Sequence, residues 1–136
     1  MNKNHTVIIG GNTSFSEPTI NNFIQNEHAV TSTYFKRKPK NHSVNWLNLD
    51  CDSDESISNF YLECKNLSPL KNLIFLTGIL LGKSVQEYSF EEINKVMDIN
   101  FNSVAKIISS LSNHFVSNSQ ILLMSSISGQ RGSFDP

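Results

Sequence analysis

The segment Thr6-Val-Ile-Ile-Gly-Gly-Asn-Thr-Ser-Phe-Ser-Glu-Pro18 decides the fold. Its first four residues are a short β-branched run that ends at two glycines, which is typical of a buried strand followed by a tight turn. Ser16 and Pro18 then mark a helix start, with Ser16 predicted as the N-cap and proline tolerated in the first turn. The segment therefore predicts a strand, a glycine turn and a helix.

The rest of the chain continues this alternation. Four more strands are predicted at residues 29–35, 44–49, 73–76 and 121–124, and helices are predicted from Ser53 to about 67, over 90–97 and over 101–115. Strands that alternate with helices of this length favour an α/β fold. We expect one Rossmann-like domain over residues 1–136, with a doubly wound parallel sheet in the order 3-2-1-4-5 and helices on both faces.

Composition excludes several classes of function. The 136 residues carry a formal net charge of −1, which gives no field for nucleic acid or membrane. No apolar stretch reaches the roughly 18–20 residues of a membrane span, and the N-terminus does not resemble a secretory signal. Cys51 and Cys64 lack a CxxC spacing, so reduced thiols in a cytoplasmic protein are expected. The four histidines are scattered, and no metal site is predicted.

The glycine turn is a candidate phosphate site. Glycine after a first strand lets backbone amides approach a pyrophosphate, with a helix N-terminus behind them. Gly10 and Gly11 are followed by Asn12, Thr13 and Ser14, whose small side chains can donate hydrogen bonds. The alternative is a tight turn that binds nothing, because short patterns of this kind also occur in such turns.

The end of the second predicted strand bears on the choice of cofactor. A site that prefers NAD places an acidic residue there for the ribose 2′-hydroxyl, whereas a 2′-phosphate requires Arg or Lys. Lys36, Arg37 and Lys38 stand at this position and no acid is present. If a dinucleotide binds, NADP(H) is therefore expected in preference to NAD(H); the alternative is a solvated basic loop.

The fifth predicted strand ends on a pair of serines. Ligands of parallel α/β sheets bind outside the carboxyl ends of the strands, so Ser126 is a candidate functional residue. We do not expect it to act as a nucleophile, because Gly-x-Ser-x-Gly is absent and no His-Asp pair is evident. The alternative is an ordinary polar residue at a strand exit.

Together with Met97-Asp-Ile-Asn100, this strand resembles the active-site strand of the short-chain dehydrogenases/reductases. The resemblance implies hydride transfer between a nicotinamide cofactor and a carbonyl or hydroxyl substrate. It also implies that Ser126 binds the substrate carbonyl and that Asn100 holds a water of the proton relay. The Tyr-x-x-x-Lys of that family follows the serine by thirteen positions, three beyond Pro136. We therefore expect the chain to be the cofactor half of a longer reductase.

The resemblance also shows departures from the family pattern Thr-Gly-x-x-x-Gly-x-Gly. With Gly11 at the first glycine, Phe15 stands at the second and Glu17 at the third. We expect Phe15 to cover space near the nicotinamide-side phosphate and Glu17 to bring unfavourable charge. We nevertheless expect Phe15 to be one of the cofactor-binding residues of this loop.

Two further segments align with cofactor-contacting parts of the family. Asp50 matches the acidic residue that accepts from the adenine amino group, and Cys51 adjoins it. The acidic segment 50–55 is not predicted to bind calcium. In an EF-hand loop that starts at Asp50, Glu55 would stand where glycine is required and Tyr61 where the final Glu is required. Thr77-Gly78 matches the end of the family's Asn-Asn-Ala-Gly, where Gly78 permits close passage of the cofactor ribose.

Partners follow from the same resemblance. We expect a small-molecule carbonyl or alcohol substrate, and a homodimer or homotetramer formed through a helix over 101–118. Residues 121–124 are expected to form an edge strand with open backbone and exposed apolar side chains. One alternative is a non-catalytic Rossmann-like nucleotide-binding or interaction module. A receiver or flavodoxin-like domain is the other, although a receiver needs an acidic pair where Gly10-Gly-Asn12 stands.

Overall fold

A computed structural model describes residues 3–67, 69–126, 128, 130 and 131. It contains a five-stranded sheet in the order β3-β2-β1-β4-β5, in which each neighbouring pair is parallel. The strands are β1 His5–Ile9, β2 Ala29–Tyr34, β3 Asn45–Asn48, β4 Leu70–Phe75 and β5 Phe115–Leu123. The predicted Rossmann-like topology is confirmed.

Four α-helices connect the strands. They are α1 Ser16–Gln25, α2 Asp54–Cys64, α3 Phe90–Met97 and α4 Ser103–Leu111. A π-helical turn, Asp98–Asn102, joins α3 to α4, and short 3₁₀ turns occupy Val85–Glu87 and Ser112–His114. Among the residues described, no helix has the length and apolar character needed to cross a bilayer.

The sheet has an apolar core on each face, as alternate side chains of a strand point to opposite sides. On one face, Val7 and Ile9 of β1 pack with Phe60 of α2 and Ile107 of α4. On the other, Ile8 packs with residues of α1, β2 and β3, including Ile20, Val30 and Trp46. Helices therefore cover both faces, and the polar ends of the strands are left to form a site.

The helix starts are only partly as predicted. Ser53 caps α2, since its side chain accepts from the Ser56 amide at 3.2 Å. Ser16 is not the N-cap of α1, and that prediction is wrong: Phe15 occupies the cap position and makes no side-chain capping bond. The Ser16 hydroxyl instead donates to the Thr13 carbonyl at 2.6 Å, one residue inside the helix.

The predicted helix over 101–118 is also wrong in its bounds. The α-helical part ends at Leu111, and β5 begins at Phe115, six residues earlier than expected. Leu70 pairs with Phe115 and Asn72 pairs with Gln120, so four residues of β5 lie opposite Lys71 alone; one of them, Asn118, has φ +61°. The Ser119 hydroxyl donates to the Leu70 carbonyl at 2.7 Å, so a bulge keeps this polar segment on the sheet.

The end of β5 exposes apolar side chains, as expected of an edge strand. Ile121, Leu122 and Leu123 are 44%, 50% and 55% exposed, and Met124 is 47% exposed. Among the described residues, β5 pairs with β4 alone. The expectation that this edge favours association stays a prediction.

Candidate functional site

A cavity of about 300 Å³ lies at the carboxyl ends of β1, β2 and β4. This is the end of a parallel sheet at which dinucleotide-binding proteins hold their ligands. Its lining includes seven of the predicted cofactor residues: Gly10, Asn12, Thr13, Lys36, Arg37, Cys51 and Thr77. We refer to this space as the strand-end cavity.

Gly10 is fixed by the neighbouring strand. Its φ is +88°, and an added Cβ would lie 2.8 Å from the Thr77 backbone nitrogen. Its amide donates to the Thr33 hydroxyl at 2.9 Å, and the next amide, of Gly11, donates to the Thr33 carbonyl at 2.8 Å. Both glycine amides are therefore used inside the protein and do not face a ligand.

Gly11 is required by packing. An added Cβ would lie 1.9 Å from the Ser32 hydroxyl oxygen and 2.7 Å from the Trp46 ring. It does not line the strand-end cavity. Glycine at this position lets the turn pass close over β2 and β3, which explains the residue without reference to a bound phosphate.

The residues after the glycines carry the unused donors. Within the described part of the chain, the amides of Asn12, Thr13 and Ser14 donate to no other residue. The Thr13 hydroxyl oxygen is buried and has no hydrogen-bond partner there. A buried hydroxyl without a partner is costly, so a ligand or a water that bonds to it would be stabilised. Ser14 is exposed and is not part of the cavity lining.

The basic end of β2 forms one wall of the strand-end cavity through Lys36 and Arg37. The Asn48 side chain donates to the Phe35 carbonyl at 2.7 Å and so fixes the backbone that precedes these two cations. The Lys36 ammonium lies 5.5 Å from the centre of the Phe35 ring. The Asn12 side chain donates to the Arg37 carbonyl at 3.4 Å, which links the glycine turn to the basic loop.

Asp50 and Cys51 are placed differently from each other. Cys51 lines the cavity, whereas Asp50 turns its carboxylate to the Asp52 amide, with an O···N distance of 3.0 Å. Burial raises the pKa of the Cys51 thiol; a hydrogen bond with Ser103 lowers it in part, and the charge of Asp50 raises it further. Cys51 therefore contributes a neutral, weakly polar surface to the cavity.

Phe15 and Glu17 do not line the strand-end cavity. The Phe15 side chain is 61% exposed. Glu17 lines a neighbouring cavity of about 260 Å³, together with Thr13, Lys40 and Trp46. The expected obstruction by Phe15 thus has no counterpart in this arrangement of the turn.

Asn100 connects the π-helical turn to the loop after β4. Its side-chain oxygen accepts from the Ile79 amide at 2.8 Å, and its side-chain nitrogen donates to the Ile79 carbonyl at 2.7 Å. A Cβ on Gly78 would lie 3.3 Å from the same side-chain oxygen, so Gly78 leaves room for this pairing. Gly78 therefore permits the close contact between Asn100 and the Ile79 backbone. Gly78 does not line the strand-end cavity.

A third cavity, of about 250 Å³, is mostly apolar and lies between α4 and the ends of β4 and β5. Asn100, Phe101, Leu123 and Met124 are among its lining residues. Thr77 lines both this space and the strand-end cavity, so the two meet at that residue.

Ser126 follows β5 and is exposed. Its hydroxyl oxygen accepts from the Ser128 amide at 3.2 Å. As described, it lines neither of the two cavities that meet at Thr77. The structure therefore places Ser126 at the expected end of the sheet, without direct contact to the predicted cofactor residues.

Thr33 is the site residue that sequence reasoning missed. It is 2% exposed, lines the strand-end cavity and accepts the Gly10 amide. The available signal was a hydroxyl side chain near the end of the strand that must pair with the glycine turn. Tyr34 and Phe35 line the cavity as well.

The family model for short chain dehydrogenases matches residues 7–135. No curated protein sequence matches the chain. The match covers β1 from Val7 onwards, the other four strands and the candidate site residues.

Solved structures share the fold at low identity. A short chain dehydrogenase family protein from Francisella tularensis subsp. tularensis SCHU S4 has a TM-score of 0.89 at 20% identity, covering 98% of this chain and 55% of its own. A blue fluorescent protein from a metagenomic library, in complex with NADPH, has a TM-score of 0.85 at 15% identity, covering 96% and 58%.

A putative short-chain dehydrogenase/reductase from Burkholderia multivorans, with bound NADP, has a TM-score of 0.80 at 14% identity. That match covers 98% of this chain and 63% of the other. The chain thus spans less than two thirds of the length of these structures.

Proposed function

Because the chain belongs to the short-chain dehydrogenase family, we propose that it is the cofactor-binding part of an NADP(H)-dependent oxidoreductase. The reaction would transfer a hydride between nicotinamide and a small carbonyl or alcohol substrate. The observation that carries the proposal is the strand-end cavity, in which the glycine turn faces Lys36 and Arg37. Two similar structures contain NADPH or NADP, which supports this type of cofactor.

The donors of the cavity fit a nucleotide phosphate, although not through the glycines. Gly10 and Gly11 use their amides on Thr33, so the amides of Asn12 and Thr13 and the Thr13 hydroxyl would hold the phosphate instead. Lys36 and Arg37 would bind the ribose 2′-phosphate, because an ammonium and a guanidinium each pair strongly with phosphate. Cys51 and the apolar side chains of the lining would contact the adenosine.

The catalytic part of the proposal rests on Asn100 and Ser126. A bound nicotinamide cofactor would supply or accept the hydride. Ser126 would donate a hydrogen bond to the substrate oxygen and stabilise negative charge that develops there. Asn100, held by Ile79, would fix the backbone beside that position. Asp50, Ser14, Phe15 and Gly78 would act at the margin of the cofactor site, since none of them lines the strand-end cavity.

Titration of NADPH and NADH, followed by cofactor fluorescence, tests the preference. We expect tighter binding of NADPH. Lys36→Ala or Arg37→Ala should weaken it by about 10- to 100-fold, since hydrogen bonds to charged groups contribute about 1.5–3 kcal/mol. Lys38→Ala is the matched control, because Lys38 is a neighbouring cation outside the strand-end cavity. Equal binding of the two cofactors would contradict the preference for NADP(H).

A second experiment tests the altered glycine turn. The family pattern is restored by Phe15→Gly and Glu17→Gly, and stronger NADPH binding would mean that these side chains hinder the phosphate. Since Phe15 is exposed and outside the cavity, we expect Glu17→Gly to have the larger effect. No gain from either substitution would mean that the turn differs in geometry from the family pattern or binds no ligand.

The alternative is a non-catalytic Rossmann-like nucleotide-binding or interaction module. The use of both glycine amides by Thr33 favours it, because these amides are then closed to a phosphate. Binding of NADPH without turnover of any carbonyl substrate by the natively expressed protein would support the module. Reduction of a carbonyl substrate that is lost in Ser126→Ala would support the enzyme.

The remaining proposals concern assembly and location. A homodimer or homotetramer would use the α3–α4 segment, with the helical part bounded by Ser103–Leu111 in place of 101–118. Phe90, Met97 and Phe101 expose 88%, 49% and 62% of their surfaces along this segment. A cytoplasmic location is proposed from the reduced thiols. Light scattering of the purified protein tests the assembly.

A further inference from the structure

Ser103 is a buried hydroxyl side chain without a role in the proposed reaction. It is the first residue of α4, directly after the π-helical turn, and it is 0% exposed. A buried hydroxyl is unfavourable unless it is hydrogen-bonded, so the partners of this side chain indicate what it does.

The backbone of Ser103 shows how the π-helical turn is made. In an α-helix each amide donates to the carbonyl four positions earlier, which for Ser103 is the carbonyl of Ile99. Here the Ser103 amide donates to the Asp98 carbonyl, five positions earlier. The turn therefore directs away from the Ile99 carbonyl the donor that a regular α-helix would supply.

The Ser103 side chain supplies a replacement for that donor. Its hydroxyl donates to the Ile99 carbonyl at 2.7 Å, and both residues are buried. A buried carbonyl without a donor costs about as much free energy as a lost hydrogen bond. The hydroxyl thus offsets a cost of the π-helical geometry that an alanine at this position could not offset.

The register of the turn decides where the Asn100 side chain points. Successive residues of an α-helix are rotated by about 100°, so a register change of one residue rotates one side of the turn by about that angle. In the π-helical register, the Asn100 side chain reaches the backbone of Ile79. An α-helical register would turn Asn100 away from the loop after β4.

The side-chain contact within the turn does not choose between the two registers. The Asn102 side chain donates to the Asp98 carboxylate at 2.7 Å. These residues are four positions apart, a spacing that also brings side chains together in an α-helix. This contact is therefore compatible with either register, whereas the bond from Ser103 compensates for the π-helical one.

Helix α3, before the turn, is free to follow a change of register. No residue of α3 is buried, so its rotation would sacrifice little apolar burial. Lys95 of α3 lies 3.5 Å from the Asp52 carboxylate, but both side chains are partly exposed and such a pair is weak. The orientation of Asn100 thus depends on contacts after α3.

We propose that Ser103 is a positioning residue, whose hydroxyl stabilises the π-helical turn and so directs Asn100 to the loop after β4. The Cys51 thiol, in the wall of the strand-end cavity, is hydrogen-bonded to the same side chain. Ser103 therefore also connects that wall to the turn. The use that catalysis would make of Asn100 rests on the proposed function, whereas the orientation of Asn100 by Ser103 does not.

Amide exchange and NMR spectra of the protein without cofactor test this role. In Ser103→Ala we expect the amide of residue 103 to return to the Ile99 carbonyl, and Asn100 to release Ile79. Exchange of the Ile79 amide should accelerate by about tenfold or more relative to the amide of Leu73, a buried residue of β4. The side-chain amide protons of Asn100 should shift towards the resonances of a solvated asparagine.

Ser110→Ala is the matched control for Ser103→Ala. The Ser110 hydroxyl is in the same helix and donates to the Lys106 carbonyl, also four positions earlier, at 2.8 Å. Because that bond lies within the α-helical part, Ser110→Ala should leave exchange at Ile79 unchanged. Ser103→Thr retains the hydroxyl and should keep the Ile79 amide protected.

Two results would overturn the proposal. The first is an Ile79 amide in Ser103→Ala that exchanges as slowly as in the unaltered protein. The second is an acceleration of the same size in Ser110→Ala or in Ser103→Thr. Failure of the proposed function is distinguishable from both, because it would appear as absent NADPH binding while exchange at Ile79 still depended on Ser103.

A further measurement uses the unaltered protein and applies even if Ser103→Ala does not fold. Scalar couplings across hydrogen bonds identify the carbonyl that accepts each amide proton. We expect the Ser103 amide to couple to the Asp98 carbonyl, and the Ser103 hydroxyl proton to exchange slowly with water. Coupling of that amide to the Ile99 carbonyl would mean an ordinary α-helix and would also overturn the proposal.

Discussion

The Asn100 side chain is paired with the backbone of Ile79 through two hydrogen bonds, of 2.8 and 2.7 Å. An amide side chain in this arrangement replaces the neighbouring strand that the Ile79 backbone lacks. Asn100 lies in the π-helical turn, a type of distortion often found at functional sites. The Asn100 side chain thus links the helix distortion to the loop after β4.

Asn100→Ala should loosen the loop after β4. Two hydrogen bonds at about 0.5–1.5 kcal/mol each give a loss of roughly 1–3 kcal/mol in the free energy of unfolding. Denaturant unfolding measures the loss, and amide exchange at Ile79 locates it. Asn94→Ala, an exposed asparagine of α3, is the control and should be neutral. Equal stability of the two variants would mean that the pairing contributes nothing.

Gly11→Ala should destabilise the protein strongly, because the new methyl group meets Ser32 and Trp46. Overpacking of this kind costs about 1–3 kcal/mol. Gly82→Ala is the matched control, since no atom lies within 4 Å of the added Cβ. Thermal unfolding of both variants decides the point. A Gly11→Ala protein as stable as the control would show that the turn can move away from β2.

Thr33→Val should leave the Gly10 amide without its acceptor while it preserves the shape of the side chain. An unsatisfied buried donor costs about 1–3 kcal/mol. We expect lower stability together with weaker NADPH binding, because Gly10 and Thr33 both line the strand-end cavity. Thr33→Ser retains the hydroxyl and should restore both properties. Unfolding and cofactor titration are the measurements, and an unchanged Thr33→Val would contradict the role of this bond.

The loss of folding stability at acidic pH should depend in part on Glu92. Its pKa is lowered by hydrogen bonds from Lys83 and from the Ser89 backbone, so its contribution is present above about pH 4.5 and is lost as the pH falls through the folded pKa. Glu92→Gln should flatten the decline of the unfolding midpoint between pH 5 and pH 3. Glu91→Gln, at the adjacent exposed position, should not. A decline that is the same in both variants would assign it to other carboxylates.

The sequence was sufficient for the order of the strands, because the strands are short runs rich in β-branched or apolar residues and three of the four crossovers contain a helix. It was not sufficient for the bounds of β5. Residues 115–119 include Ser117, Asn118 and Ser119, whose composition is typical of a loop. They join the sheet because Lys71 and Leu70 of β4 bond to Ser117 and Ser119. Such tertiary contacts override local composition.

The sequence likewise predicted only part of the candidate site. Lys36, Arg37 and Gly10 could be predicted because strand ends and turns fix their positions, and they do line one cavity. The hydrogen bonds from the Gly10 and Gly11 amides to Thr33 could not be predicted, since they depend on a residue in another strand. The outward position of Phe15 depends on the local turn, where it takes the N-cap of α1.

Trp46 is the sole tryptophan of the chain. Its indole nitrogen donates to the Asn41 carbonyl at 2.8 Å, and its ring lies under Gly11, with 9% of its surface exposed. The protein therefore has an intrinsic fluorescent reporter built into the floor of the glycine turn. Quenching of its emission, or energy transfer from it to a reduced nicotinamide, would register events at this turn without any label.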